Sequence, residues 1–275
     1  MPVSIYPCLW LNGQAREAAD FYMSLFKDST LISENHFVTL FSIEGKTVMA
    51  MNGGPMFSIN PAISMMVSRV NKEECKRLWD HLSVDGKVLM PLNKYPWSEL
   101  YGWIQDRFGF SWQIMLSGSD KLVPSMLFTG VQMGKAVPAM EFYTALFPES
   151  GIDFKNYYAD DSPFAGNINY AEFHLANYSL VAMDGPNEHG FTFSEGVSLV
   201  VNCKNQEEID LFWKELTSNG GQESQCGWCK DQFGLSWQIV PHHISQLIGD
   251  SDKGKRATQV LFTMKKIDIK ALENA

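Results

Sequence analysis

Basic residues are in short supply. The 275-residue chain carries 22 lysines and arginines against 31 aspartates and glutamates, a formal net charge of −9. Such a surface repels nucleic acid and anionic lipid, which sets polyanion-binding roles aside. No apolar run approaches the ~20 residues that span a bilayer, so no membrane partner is expected. Met1-Pro2-Val3-Ser4 has neither a basic n-region nor an apolar h-region, and no signal peptide is read from it. Cysteine is scarce and odd in number, five in all, which excludes a disulfide framework in a chain this long. No Gly-x-Gly-x-x-Gly run follows a strand-like stretch, and phosphate-loop and nucleophile-elbow motifs are missing. What is present is a globular mixture, 45% hydrophobic and 19% charged. It reads as a cytoplasmic chain of about two domains.

The strongest positive signal is a repeat. Trp103-Ile-Gln-Asp-Arg-Phe-Gly-Phe-Ser-Trp-Gln-Ile114 aligns with Trp228-Cys-Lys-Asp-Gln-Phe-Gly-Leu-Ser-Trp-Gln-Ile239, with eight of twelve positions identical. Upstream, Phe21-Tyr22 and Leu25-Phe26 match Phe142-Tyr143 and Leu146-Phe147, and Phe41 through Met51 matches Phe173 through Met183. The chain is therefore one unit duplicated, 1–119 and 120–275, joined near the small polar stretch Ser117-Gly-Ser-Asp-Lys121. In each unit two segments carry apolar residues at helical spacing, around Phe21 and Leu78 and around Phe142 and Phe212. Acidic pairs, Glu73-Glu74 and Glu207-Glu208, open the second helix of each unit, where the helix dipole favours them. Shorter stretches read as strands, with a hairpin turned at Gly45. The order is βαβββ, four times over.

This order, together with Trp228-x-x-Asp-x-Phe-Gly-x-Ser-Trp-Gln-Ile239, Ala171-Glu-Phe-His-Leu and Lys265-Lys-Ile-Asp-Ile-Lys-Ala-Leu-Glu273, resembles the vicinal oxygen chelate superfamily of glyoxalases, bleomycin-resistance proteins and dioxygenases. The closer resemblance is to its PhnB-like branch, which carries the name 3-demethylubiquinone-9 3-methyltransferase. The resemblance implies an α+β fold of tandem glyoxalase-like domains, each a curved mixed sheet of two βαβββ modules around a pocket. In the wider superfamily a metal is held from strand 1, strand 5 and the last strand. Carried over, those positions are Pro7 or Cys8, Ala62 or Ser64, and Gln113; in the second unit they are Pro124 or Ser125, Gly196 or Ser198, and Gln238. None offers an imidazole or a carboxylate, so neither a metal nor another cofactor is expected.

Other chemistry-bearing residues read mostly as structure. Cys226-Gly-Trp-Cys229 has CxxC spacing but leads into a strand, not a helix N-terminus, and reads as buried thiols. Asp106 and Asp231 precede Phe-Gly and read as turn carboxylates. Trp112 and Trp237 alternate with Gln113 and Gln238, so one type faces helices and the other a pocket. Trp103 and Trp228 serve equally as a flat ligand wall or as core. Glu172 is the one carboxylate in an apolar strand, and Leu40 takes its place in the first unit. The expected ligand-binding set is Trp103, Gln113, Glu172, Trp228 and Gln238, with an unknown small molecule as partner and a homodimer as one arrangement the sequence allows. A metal-dependent lyase or isomerase of glyoxalase type is the alternative. Methyl transfer is not expected, because the short strands and single crossover helices do not supply a doubly wound sheet. Finally, the Thr258–Met264 stretch alternates as a strand and is expected to pair with a sheet edge, followed by a short helix starting near Asp268.

Overall fold

The computed structural model describes residues 3–185, 189–249 and 251–275; Met1 and Pro2 of the N-terminal stretch lie outside them. Four modules follow in order. The first is β1 (Ser4–Leu11), α1 (Ala15–Leu25), β2 (Thr30–Glu34), β3 (Val38–Ile43) and β4 (Lys46–Asn52). The second is β5 (Ile63–Arg69), α2 (Lys72–Leu82), β6 (Lys87–Tyr95), β7 (Ser98–Gln105) and β8 (Ser111–Leu116). The third is β9 (Lys121–Phe128), α3 (Ala136–Leu146), β10 (Gly151–Tyr157), β11 (Ile168–Leu175) and β12 (Tyr178–Asp184). The fourth is β13 (Val197–Cys203), α4 (Gln206–Thr217), β14 (Gln222–Glu223), β15 (Trp228–Lys230) and β16 (Ser236–Pro241). Three helices close the chain: α5 (Ile244–Leu247), α6 (Asp252–Leu261) and α7 (Ile269–Glu273).

Local chemistry sets these elements. Asn71 caps α2 by accepting from the Glu73 and Glu74 amides, and Asn205 caps α4 by accepting from the Glu208 amide. The β3–β4 hairpin turns through Glu44 and Gly45, both at positive φ, the geometry of a tight two-residue turn.

The strands form two eight-stranded mixed sheets. Sheet A has the order β14-β15-β16-β13-β1-β4-β3-β2, and sheet B the order β10-β11-β12-β9-β5-β8-β7-β6. The sheets cut across the repeat. In sheet A, β1 of the first module lies antiparallel to β13 of the fourth, with Cys8 opposite Ser198. In sheet B, β5 of the second module lies antiparallel to β9 of the third, with Ser64 opposite Ser125. The hydrogen-bonded units are thus residues 4–52 with 197–241 and 63–116 with 121–184, whereas the sequence repeat divides at 119/120.

The four module helices cover one face of each sheet. α1 and α4 pack on sheet A, and α2 and α3 on sheet B. Between them Trp112 and Trp237, both fully buried, stack on Phe26 and Phe147 with ring centroids 5.5 Å apart. The tryptophans of the Ser-Trp-Gln strands therefore face the helices, and the glutamines face away.

The C-terminal segment departs from the strand expected at Thr258–Met264. Residues 252–261 form a helix. Ser251 caps it by accepting from the Gly254 amide, and Gly254, Ala257, Thr258 and Leu261 make a buried stripe at helical spacing. A capped stripe over ten residues outweighs a four-residue alternation at its end. The short helix after Asp268 forms as expected, with Asp268 accepting from the Ala271 amide. No helix among the described residues is long and apolar enough to cross a membrane.

Candidate functional site

Each sheet has an open face opposite its helices, and the residues singled out from the sequence gather there. On sheet B, Ser64 and Ser125 are cross-strand neighbours, and Gln113 reaches Ser64 from β8, its Nε2 donating to Ser64 Oγ at 2.8 Å. The Tyr101 hydroxyl donates to Gln113 Oε1 at 2.8 Å. Trp103 lies opposite Gln113, and its indole N–H donates to Ser111 Oγ at 2.6 Å. On sheet A the equivalent trio is Cys8, Ser198 and Gln238, with Gln238 Nε2 donating to Ser198 Oγ at 2.9 Å. There Trp228 packs edge-on against Trp10, which in turn packs against Phe57.

The positions carried over from the superfamily do converge, but each group draws on both repeats. Ser64 and Gln113 meet Ser125, and Ser198 and Gln238 meet Cys8. The donors are wrong for a metal. The Gln113 amide oxygen is already taken by Tyr101. Burial pushes the Cys8 thiol up to about 12, even with hydrogen bonds from Gln238 and Ser198 pulling the other way, so it stays protonated. Among the described residues no three His, Cys, Asp or Glu side chains cluster as a metal would require. The metal centre of the wider superfamily does not fit these residues.

Glu172 stands apart from the amide and hydroxyl trio. It shares a cross-strand row with Val181 and Ser125 but bonds Lys121 Nζ at 2.8 Å and accepts from the Tyr170 hydroxyl at 2.8 Å. Burial alone would raise its carboxyl; those two donors outweigh burial and hold it below the usual range. A cleft of about 340 Å³ opens here, lined by Glu172, Lys121, Val123 and Val181 and closed by Glu44 and Lys46 from the β3–β4 hairpin. Lys46 is held over the Tyr178 ring, 5.1 Å from its centroid. The related cleft on sheet A, about 330 Å³, has Leu40, Tyr6 and Asn202 in its lining and no carboxylate.

Asp106 and Asp231 are heavily bonded carboxylates. Asp106 accepts from the Phe108 and Phe110 amides, from the Trp112 indole at 2.8 Å and from the Tyr22 hydroxyl at 2.7 Å. Asp231 repeats the pattern with Phe233, Leu235, Trp237 and Tyr143. Both are buried and away from the open faces. Cys226 and Cys229 have their thiols raised by burial, and neither is bonded to another cysteine.

Tyr101 is the site residue the sequence reading passed over. The signal was there: it lies two residues before Trp103 on one strand, hence on the same face.

The sequence model of the family described as 3-demethylubiquinone-9 3-methyltransferase matches residues 3–115 and again 120–240. No curated protein gives a match. Among solved structures, the PhnB protein from Bacillus cereus is 32% identical over 41% of this chain and 98% of its own, with a TM-score of 0.39. Glyoxalase I from Zea mays is 12% identical over 87% of this chain and 93% of its own, with a TM-score of 0.55, which speaks for the fold. With two tandem matches that together span most of its length, the chain belongs to the 3-demethylubiquinone-9 3-methyltransferase, or PhnB-like, family, on the glyoxalase-type fold.

Proposed function

We propose that this chain is a small-molecule-binding protein of the vicinal oxygen chelate superfamily that works without the superfamily's metal centre. Trp103, Gln113 and Glu172 on sheet B and Trp228 and Gln238 on sheet A are the residues assigned to the ligand. The observation that carries the reading is the chemistry of the convergent positions: amides, hydroxyls and one protonated thiol, bonded to one another and bordered by aromatic rings. Such groups orient a ligand by hydrogen bonds and stacking. Five free thiols suit a reducing, cytoplasmic setting.

A metal-dependent lyase or isomerase of glyoxalase type is the second reading. The shared fold favours it, and the donor set stands against it. Methyl transfer, in the family's description, is not extended to this chain, because its sheets are mixed rather than doubly wound and parallel. Elemental analysis of the purified protein tests the proposal, with no stoichiometric transition metal expected. One zinc, nickel, iron or manganese ion per sheet, lost on Gln113→Ala or Gln238→Ala, overturns it.

A further inference from the structure

The two open faces are filled differently. On sheet B the open-face apolar residues form small clusters of their own, Met66 with Val123 and Val181, and Trp103 with Tyr101 and Leu127. Ser125 stands between them, two residues from Val123 and two from Leu127 on the same strand face. It is 1% exposed, and its Oγ has no hydrogen-bond partner. Its cross-strand neighbour Ser64 accepts from Gln113 but donates to no atom among the described residues. Two adjacent hydroxyls therefore hold hydrogens for which the described residues supply no acceptor, and a buried hydroxyl left this way costs stability. Met66 and Met183 lie in the cluster beside them and Met90 and Met115 in the cluster around Trp103, unbranched side chains that repack readily around a guest.

On sheet A the same positions read otherwise. Cys8 replaces Ser125, and Val200 and Val240 replace Met66 and Met115. The C-terminal segment lies across this face. Cys226 Sγ approaches the Leu261 carbonyl at 3.6 Å, the Cys226 amide donates to the Met264 carbonyl, and the Phe262 ring meets Phe37 edge-on. Cys226 leads into β15 and Phe37 into β3, with four strands between them, and α1 and α4 occupy the other face. Val200 and Val240 are buried in one continuous core with Leu261. Ser236 Oγ is also unpartnered on this sheet, but beneath a face that the chain itself covers.

We propose that sheet B alone receives the ligand, and that the ligand is an uncharged, largely apolar ring compound presenting a carbonyl-type acceptor to Ser125 and Ser64. This rests on the small-molecule reading above and adds its place and chemical class. Lys121, on the same strand as Ser125, and Glu172, in its cross-strand row, pair with each other, so neither is free to attract an ion.

Two probes of equal ring size separate the outcomes: 2-acetylnaphthalene, which has the acceptor, and 2-ethylnaphthalene, which does not. Calorimetric titration of the full chain is expected to show the ketone binding about tenfold tighter, the worth of one good hydrogen bond. In Ser125→Ala that ratio falls toward one, while the denaturation midpoint stays equal or rises. Indole quenching by the ketone is expected to vanish in Trp103→Phe and persist in Trp228→Phe. Equal affinities in the parent chain, or a ratio untouched by Ser125→Ala, overturn the ligand class and leave small-molecule binding standing. Quenching lost in Trp228→Phe instead overturns the placement. A fall in the denaturation midpoint of Ser125→Ala makes the hydroxyl structural and overturns the assignment, and so does the failure of the ketone to bind. The small-molecule reading itself falls only on the metal result given above.

Discussion

Asp106 and Asp231 show how a few side chains hold each repeat together. Each carboxylate, in the turn between the last two strands of its repeat, takes a hydroxyl from the first helix of that repeat, which rests on the other sheet. Replacing Tyr22 or Tyr143 with Phe removes a buried bond to a charged acceptor, and chemical denaturation is expected to show a loss of about 1.5–3 kcal/mol in each case. Asp106→Asn should cost about 1–3 kcal/mol, because the amide cannot accept from both ring and backbone donors and leaves one buried group unpaired. The pH dependence follows from burial, which outweighs the four donors and pushes the Asp106 carboxyl up to about 6. A carboxyl raised on folding favours the protonated form. Its contribution is full below the ordinary value near 4 and is lost as the pH rises through 6. The stability gap between the parent chain and Asp106→Asn should therefore narrow from pH 4 to pH 7; a gap that widens contradicts the assignment. Asp106 was legible as a turn carboxylate from the following Phe-Gly, but its bond to Tyr22 was not, since 84 residues separate them.

Among the elements, the C-terminal helices were the ones the sequence misled on. The alternation at Val260–Thr263 is real, but it lies at the end of a helix whose stripe starts at Gly254. α6 and α7 bury Leu261, Ile269 and Leu272, and the turn between them buries Ile267. A chain ending at Lys255 should thus melt well below the full protein, since each such side chain contributes about 1.5–3 kcal/mol when fully buried. An unchanged melting temperature would mark the segment as a dispensable tail. Gly227 makes the same point at one position. It adopts φ +83°, and a Cβ there would meet the Ile239 carbonyl oxygen at 2.7 Å and Ile267 at 3.0 Å. Gly227→Ala is expected to lower the midpoint and loosen residues 261–269, read out as faster amide exchange there. The βαβββ elements were legible because each carries its own period and caps. What covers an open face was not, because a covering segment shows only that it has an apolar stripe, not where the stripe goes.

At the scale of the whole molecule, the decisive fact is that each sheet takes one module from each repeat. Residues 1–119 alone leave β1 and β5 with open edges where β13 and β9 belong. That fragment is expected to be unfolded or self-associated on its own and to form a one-to-one complex when mixed with 120–275, as light scattering would show. A folded, monomeric 1–119 with the melting temperature of the full chain would refute this. The repeat was legible from residue identities, yet the pairing was not. Ser64 and Ser198 sit at matching positions of equivalent apolar strands, so the repeat alone does not tell β1 which copy to join. The pairing of Ile5 with Val201 also sets a timetable for synthesis. The first module emerges from the ribosome complete, but its edge strand waits for a partner that follows the 144 residues 53–196. At roughly 5–20 residues per second, that is a delay on the order of 7–30 s. For that interval a nascent chain carries an unpaired apolar edge, which makes this protein a natural client for whatever shields emerging strands.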